Sequence, residues 1–164
     1  MPRPVQDASQ LLERALALLA RRAHGRAELA RKLQRYQPSP TMVDEVLARL
    51  ESMGFVDDAR FAEGVAGSLA RSGRAGPARI AGKLRQHGIA AAGVKDAVGG
   101  LDTDWGASCR ALARTRVARG EDLRDPKARA RLVRFLAGRG FPPPLVYEVL
   151  RELGAEAREG EGIE

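Results

Sequence analysis

The chain has 164 residues, of which 44% are hydrophobic and only 4% aromatic, enough apolar material for a real core but too little length for two large domains. Alanine, arginine and leucine are the commonest residues, a composition that favours helices and argues against the aromatic and β-branched cores of sandwiches and barrels. The net charge of +7 points to a polyanionic partner, nucleic acid or an acidic protein surface, and a single cysteine, Cys109, excludes an internal disulfide framework and fits a reducing compartment.

In chain order, residues 1–8 read as an N-terminal extension and 9–22 as a first helix. Its apolar run, Ala15 to Ala20, is bracketed by Arg14 and Arg21. That is too short for a bilayer span and lacks a signal-peptide layout, so a soluble cytoplasmic protein is expected. Leu29 and Leu33 then mark a second helix, and Val43, Val46, Leu47 and Leu50 a third, at the i, i+3, i+4, i+7 spacing of an amphipathic face. The pattern recurs about fifty residues on, with a helix over 57–72, then Ile80 and Leu84, then Val94, Ala97, Val98 and Leu101. It recurs again as a helix over 103–119, Leu132 with Leu136, and Val146, Val149, Leu150 and Leu153. Between second and third helices, "HGI" and "RGF" place Gly88 and Gly140 where a left-handed C-cap is needed, each followed by an apolar residue to seal the turn. The first copy has Gln37 and Pro38 there, so its turn must close differently. The expected fold is all-α, with three tandem three-helix repeat units at 9–54, 55–102 and 103–154. A Gly- and Glu-rich acidic tail over 155–164 is expected to be disordered.

Candidate catalytic features dissolve on inspection. The adjacent acids Asp57 and Asp58 in "GFVDDARFAEG" stand where a helix begins. Asp57 is expected to cap it, Asp58 to favour its dipole, and Val56 with Phe61 to form a hydrophobic staple. No His, Cys or third acid stands at ligand spacing, so no metal site is expected. "GPARIAGKL", Gly76 to Leu84, resembles a phosphate-binding loop but has one residue too many between its glycines and a leucine where Ser or Thr should hold magnesium. It reads as a helix. Cys109 shares a face with Trp105, Leu112 and Ala113 and reads as a buried small hydrophobe. His24 and His87 lie near helix ends without catalytic partners. No nucleophile, base and orienter assemble, so no enzyme and no cofactor are expected.

The stretches "ALALLARRAHGRAELARKLQR", "VDEVLARLESMGFVDDARFAEG" and "KLRQHGI" resemble the RecX family of bacterial recombination regulators, over nearly the whole chain from Leu11 to Leu153. The resemblance implies an elongated, curved helical array. It also implies a non-catalytic inhibitor that lies in the groove of the RecA filament on single-stranded DNA, blocks its extension and damps strand exchange in DNA repair and the SOS response. A monomer that binds single-stranded DNA, and duplex DNA at most weakly, is expected. No family motif assigns contact residues. Electrostatics nominate Arg26, Arg31, Lys32 and Arg35, then Arg79, Lys83 and Arg85, then Arg129, Arg131 and Arg134, all on the second helices. The alternative is a helix-turn-helix transcriptional regulator, although no helix displays the usual base-reading set. A general single-strand binder is disfavoured by the shortage of aromatic side chains.

Overall fold

The computed structural model describes residues 3–159. Among these the secondary structure is helical: α1 (Ala8–Leu19), α2 (Arg26–Leu33), α3 (Pro40–Ser52), α4 (Asp58–Arg71), α5 (Pro77–Gln86), α6 (Ala91–Gly99), α7 (Trp105–Val117), α8 (Pro126–Gly138) and α9 (Pro143–Glu159), with one 3₁₀ turn at Gln34–Tyr36. The apolar spacing dictates which faces are hidden. Leu29, Leu33, Val43, Val46, Leu47 and Leu50 are buried in one core, and Leu132, Leu136, Val146, Val149, Leu150 and Leu153 in another. In the middle copy Val94 and Ala97 are buried, but Val98 and Leu101 are only half-buried, Leu101 lying beyond the end of α6 at Gly99. Cys109 is fully buried in the second core, and burial pushes its thiol up to about 11. No helix among the described residues is long and apolar enough to cross a membrane.

By contact the chain gathers into two compact units. One comprises residues up to Val65 together with Leu84–Ala97; the other comprises Ala66–Lys83 together with Val98 onward. The middle three-helix copy is therefore divided between them. Backbone geometry explains the division. In the first unit the turn after α5 meets the start of α2, where a Cβ on Gly88 would lie 2.5 Å from the Ala27 Cβ. In the second, the turn after α8 meets the start of α5: Gly76 N–H donates to the Arg139 carbonyl (2.7 Å) and Ala78 N–H to the Gly140 carbonyl (3.1 Å). Arg79 Nη1 also donates to the Gly138 carbonyl (3.2 Å). In both units a second helix thus begins against the glycine turn of the following copy.

Both glycine turns are Schellman motifs. The Ile89 N–H reaches the Leu84 carbonyl and the Gly88 N–H that of Arg85, while Phe141 reaches Leu136 and Gly140 reaches Ala137. Gly88 and Gly140 have φ of 82° and 87°, and the apolar seals Ile89 and Phe141 are buried. The first copy closes through the 3₁₀ turn instead, yet Gln37 takes the same left-handed conformation at φ 51°. That turn is held from the N-terminal extension, where the Val5 N–H donates to the Tyr36 carbonyl at 3.0 Å.

At the far end α9 runs to Glu159, five residues into the segment expected to be disordered. The correction has a physical cause. Glu152 and Glu156, four apart on α9, meet Arg110 and Arg114, four apart on α7, and these cross-helix pairs extend the helix beyond its last core residue, Leu153. Residues 160–164 of the expected tail lie outside the described residues.

Candidate functional site

Asp57 and Asp58 start helices, and they start two different ones. Asp57 Oδ1 accepts the Arg60 N–H of α4 at 3.0 Å, the capping bond expected of it. Asp58 Oδ1 accepts the Arg26 N–H at 2.7 Å, at the start of α2, whose N-cap Gly25 offers no side chain. Gly25 leaves room for this approach, since a Cβ there would sit 3.3 Å from Asp58 Oδ1 and 3.4 Å from the Phe61 ring. Val56 is buried in the first core, whereas Phe61 stands edge-on to His87 at 5.3 Å between ring centres. Asp57→Ala and Asp58→Ala are each expected to cost about 1 kcal/mol. Amide hydrogen exchange separates them: Asp58→Ala should speed exchange at the start of α2, and Asp57→Ala at the start of α4.

Beside this cap lies a charged cluster that the sequence pattern does not reveal. Glu28, buried on α2, is bound by the Arg22 guanidinium, by Lys32 Nζ at 3.4 Å and by His87 Nδ1 at 3.3 Å. His24 is buried, with Nδ1 2.8 Å from the Arg22 carbonyl and Nε2 2.7 Å from Lys32 Nζ. Lysine has only protons to give, so Nε2 accepts and the neutral ring donates from Nδ1. Burial lowers the His24 pKa from 6.5, and the charges of Lys32 and Arg22 add to it. Burial alone would raise the Glu28 carboxyl, but the hydrogen bond and charge of Arg22 outweigh it and hold the group at about 2. The histidines therefore brace a joint rather than merely ending helices. The spacing of four in His24, Glu28 and Lys32 is legible in the sequence; His87, which arrives across the turn after α5, is not.

This cluster sets a pH dependence. Both groups have folded pKa values below their ordinary ones, so the unfolded chain takes up protons first and stability falls as pH falls. The His24 contribution is present above about 6.5 and is lost on acidification below it. That of Glu28 is present above 4.5 and is lost as pH falls from 4.5 towards about 2. Urea midpoints measured against pH should decline through both windows, and Glu28→Gln should flatten the lower one.

The ten nominated cations divide by environment. On α2, Arg26 and Lys32 flank the buried stripe and are engaged internally: Arg26 pairs with Glu51 (3.0 Å) and Asp44 (3.5 Å), and Lys32 joins the Glu28 cluster. Arg31 is exposed, opposite the stripe, and Arg35 is exposed too but lies in the 3₁₀ turn beyond α2 rather than on the helix expected to carry it, because α2 ends at Leu33. Arg31 reaches the Gln86 carbonyl at 3.4 Å, which brings it to the helix end that carries exposed Arg85. In the second unit Arg79 is tied to the Gly138 carbonyl and Arg131 to Glu121 (3.3 Å). Lys83, Arg129 and Arg134 are exposed. Among the described residues no group of three or more His, Cys, Asp or Glu side chains is placed to hold a metal ion.

Comparison with known proteins decides the family. Family models for the first, second and third three-helix domains of RecX match residues 12–50, 57–98 and 103–150 in that order. The chain belongs to the RecX family. Its relatives include the regulatory protein RecX of Pseudomonas putida strain F1, 39% identical over 83% of this chain and 86% of the relative. That of Pseudomonas syringae pv. tomato DC3000 is 35% identical over 95% and 99%, and that of Halorhodospira halophila is 41% identical over 77% and 78%. The crystal structure of RecX from Lactobacillus salivarius shares the fold with a TM-score of 0.79, at 20% identity, covering 91% of this chain and 97% of that one. In this RecX-family chain the match to the second domain, residues 57–98, spans both compact units, so Asp58, Gly76 and Gly88 serve packing that reaches beyond their own domain.

Proposed function

We propose that this chain is a non-catalytic, cytoplasmic inhibitor of homologous recombination that binds the RecA filament on single-stranded DNA as a monomer and blocks its growth and activities. On this reading the functional domains are the three-helix units at 9–54, 55–102 and 103–154. The observation that carries the proposal is the ordered match of all three RecX domains. Exposed arginines on or just after the second helix of each copy, Arg31, Arg35, Arg85, Arg129 and Arg134, supply the means of approaching phosphates or acidic recombinase surface. The test is DNA-dependent ATP hydrolysis by the cognate recombinase, which substoichiometric protein should suppress. Undiminished hydrolysis at equimolar protein rejects the reading.

Binding through the basic face has its own test. Replacing Arg31 and Arg35 with alanine should weaken filament binding and reduce the slope of log affinity against log salt by up to about 0.7 for each phosphate no longer neutralised. Lys32 is left out of this variant because it holds Glu28 and His24. Affinity that is unchanged from low to high salt points instead to an apolar interface.

A further inference from the structure

The turn that ends α3 is built like those after α5 and α8 but is sealed differently. Phe55 N–H donates to the Leu50 carbonyl at 2.9 Å and Gly54 N–H to that of Glu51 at 3.0 Å, with Gly54 at a φ of 74°, the geometry of a Schellman motif. An apolar residue after the glycine folds back on its helix in such a turn, as Ile89 and Phe141 do, 6% and 2% exposed. Phe55 instead keeps 52% of its surface in solvent, and Val56 fills the core position. Met53, on the other side of Gly54, is 50% exposed. Of the large hydrophobic side chains exposed among the described residues, only Tyr147 stands elsewhere. The pair is firmly presented, since the turn bonds hold it from α3 and the Asp57 cap on the Arg60 N–H fixes the start of α4 beyond it. Such preorganisation lowers the entropy lost on binding.

Charge and area choose the occupant. The segment 51–59 holds three carboxylates, Glu51, Asp57 and Asp58, and no basic residue. Arg26, which reaches Glu51, is divided between it and Asp44, and Arg49 and Arg60 only flank the segment. A single strand that stacked a base on Phe55 would bring its phosphates against these acids, whereas a protein pocket with a basic rim would complement them. A second copy of the chain is not enough by itself: two half-exposed side chains of this size offer about 200 Å², against the roughly 800 Å² per partner of a stable interface. The pair is therefore one anchor within a larger contact, and methionine and aromatic side chains are what such anchors are made of. We propose that Met53 and Phe55 enter an apolar pocket, rimmed by lysine or arginine, on a subunit of the recombinase filament. The anchor rests on the recombinase reading above and adds to it a protein contact separate from the basic face.

The test measures binding of the full chain to preassembled recombinase filaments and, separately, to the bare oligonucleotide, for the parent and for Phe55→Ser, Phe55→Leu, Met53→Glu and Met53→Lys. Both positions are half exposed, so thermal melts should stay close to the parent's; if Phe55→Ser lowers them, the two Met53 variants still carry the comparison. Phe55→Ser should weaken filament binding about tenfold without changing the slope of log affinity against log salt, and Phe55→Leu should keep most of the affinity. Met53→Lys should bind the filament less well than Met53→Glu, because the rim it meets is basic. A parent that binds filaments and suppresses ATP hydrolysis, with Phe55→Ser binding as well as the parent, overturns the anchor and leaves the recombinase reading intact. An equal loss by Phe55→Ser on the bare oligonucleotide, or tighter filament binding by Met53→Lys, overturns it in favour of a base platform. A parent dimer in sedimentation that Phe55→Ser dissolves overturns it in favour of a contact between copies. A parent that neither binds filaments nor suppresses hydrolysis rejects the recombinase reading itself, and the anchor with it.

Discussion

Leu136→Ala is expected to destabilise the second unit by about 2–5 kcal/mol, and Leu33→Ala and Leu84→Ala to do the same to the first. All three leucines have 0% of their surface exposed, so truncation forfeits the transfer energy of the removed methyl groups and leaves a cavity that close-packed helices fill only in part. Two compact units also mean that unfolding need not be a single transition. Urea denaturation followed separately by Trp105 fluorescence, which reports on α7, and by total helicity should show Leu136→Ala acting chiefly on the fluorescence transition. Losses below about 0.5 kcal/mol at all three positions would contradict the shared register of the repeats.

Gly140→Ala is the second large effect. The new Cβ would lie 2.3 Å from the Arg79 nitrogen and 2.6 Å from the Arg79 Cβ, at a φ of +87°. Left-handed strain accounts for about 1–2 kcal/mol and forced overpacking for about 1–3 kcal/mol more, so a total loss of about 2–5 kcal/mol is expected. Gly54→Ala is the control. Gly54 also has a positive φ, +74°, but nothing lies within 4 Å of its Cβ position, so only the strain applies. Gln37→Gly should go the other way or change little, because relief of strain at φ 51° is offset by the extra freedom of glycine in the unfolded chain. Equal losses for Gly140→Ala and Gly54→Ala in thermal melts would show that the close approach at the turn contributes nothing.

What is legible in the sequence is what is periodic. Stripes such as Val43, Val46, Leu47 and Leu50 announce themselves within one helix, and their recurrence about fifty residues on places the turns. Contacts between copies carry no period. Nothing near Asp58 says that its carboxylate reaches the first amide of α2, or that His87 closes on Glu28, since the partners lie 32 and 59 residues away. Gly76 resembles the opening glycine of a phosphate-binding loop, and the true reason for a glycine there is the Gly140 backbone, 2.5 Å from where its Cβ would be. The last turns of α9 deceive for a similar reason. Glutamates and glycines describe a disordered tail until Arg114 stands opposite one of those acids, Glu156, and Arg110 opposite Glu152 one turn before it. The basic side chains are over-counted because composition does not distinguish a solvent-facing Arg31 from an Arg26 held between Asp44 and Glu51.

The division of the middle copy between two compact units has a consequence for how the protein comes off the ribosome. The helices of the first copy and the core they share are all synthesised by Val56, yet the start of α2 lacks the Gly88 turn that packs on Ala27 until that turn has cleared the exit tunnel. Residues 66–83 then wait longer still, since the backbone that receives Gly76 and Ala78 belongs to Arg139 and Gly140. The nascent chain therefore carries α5 with one end docked and the other unsatisfied throughout synthesis of α7 and α8. During that interval its apolar face is what a chaperone or a misfolding neighbour would find.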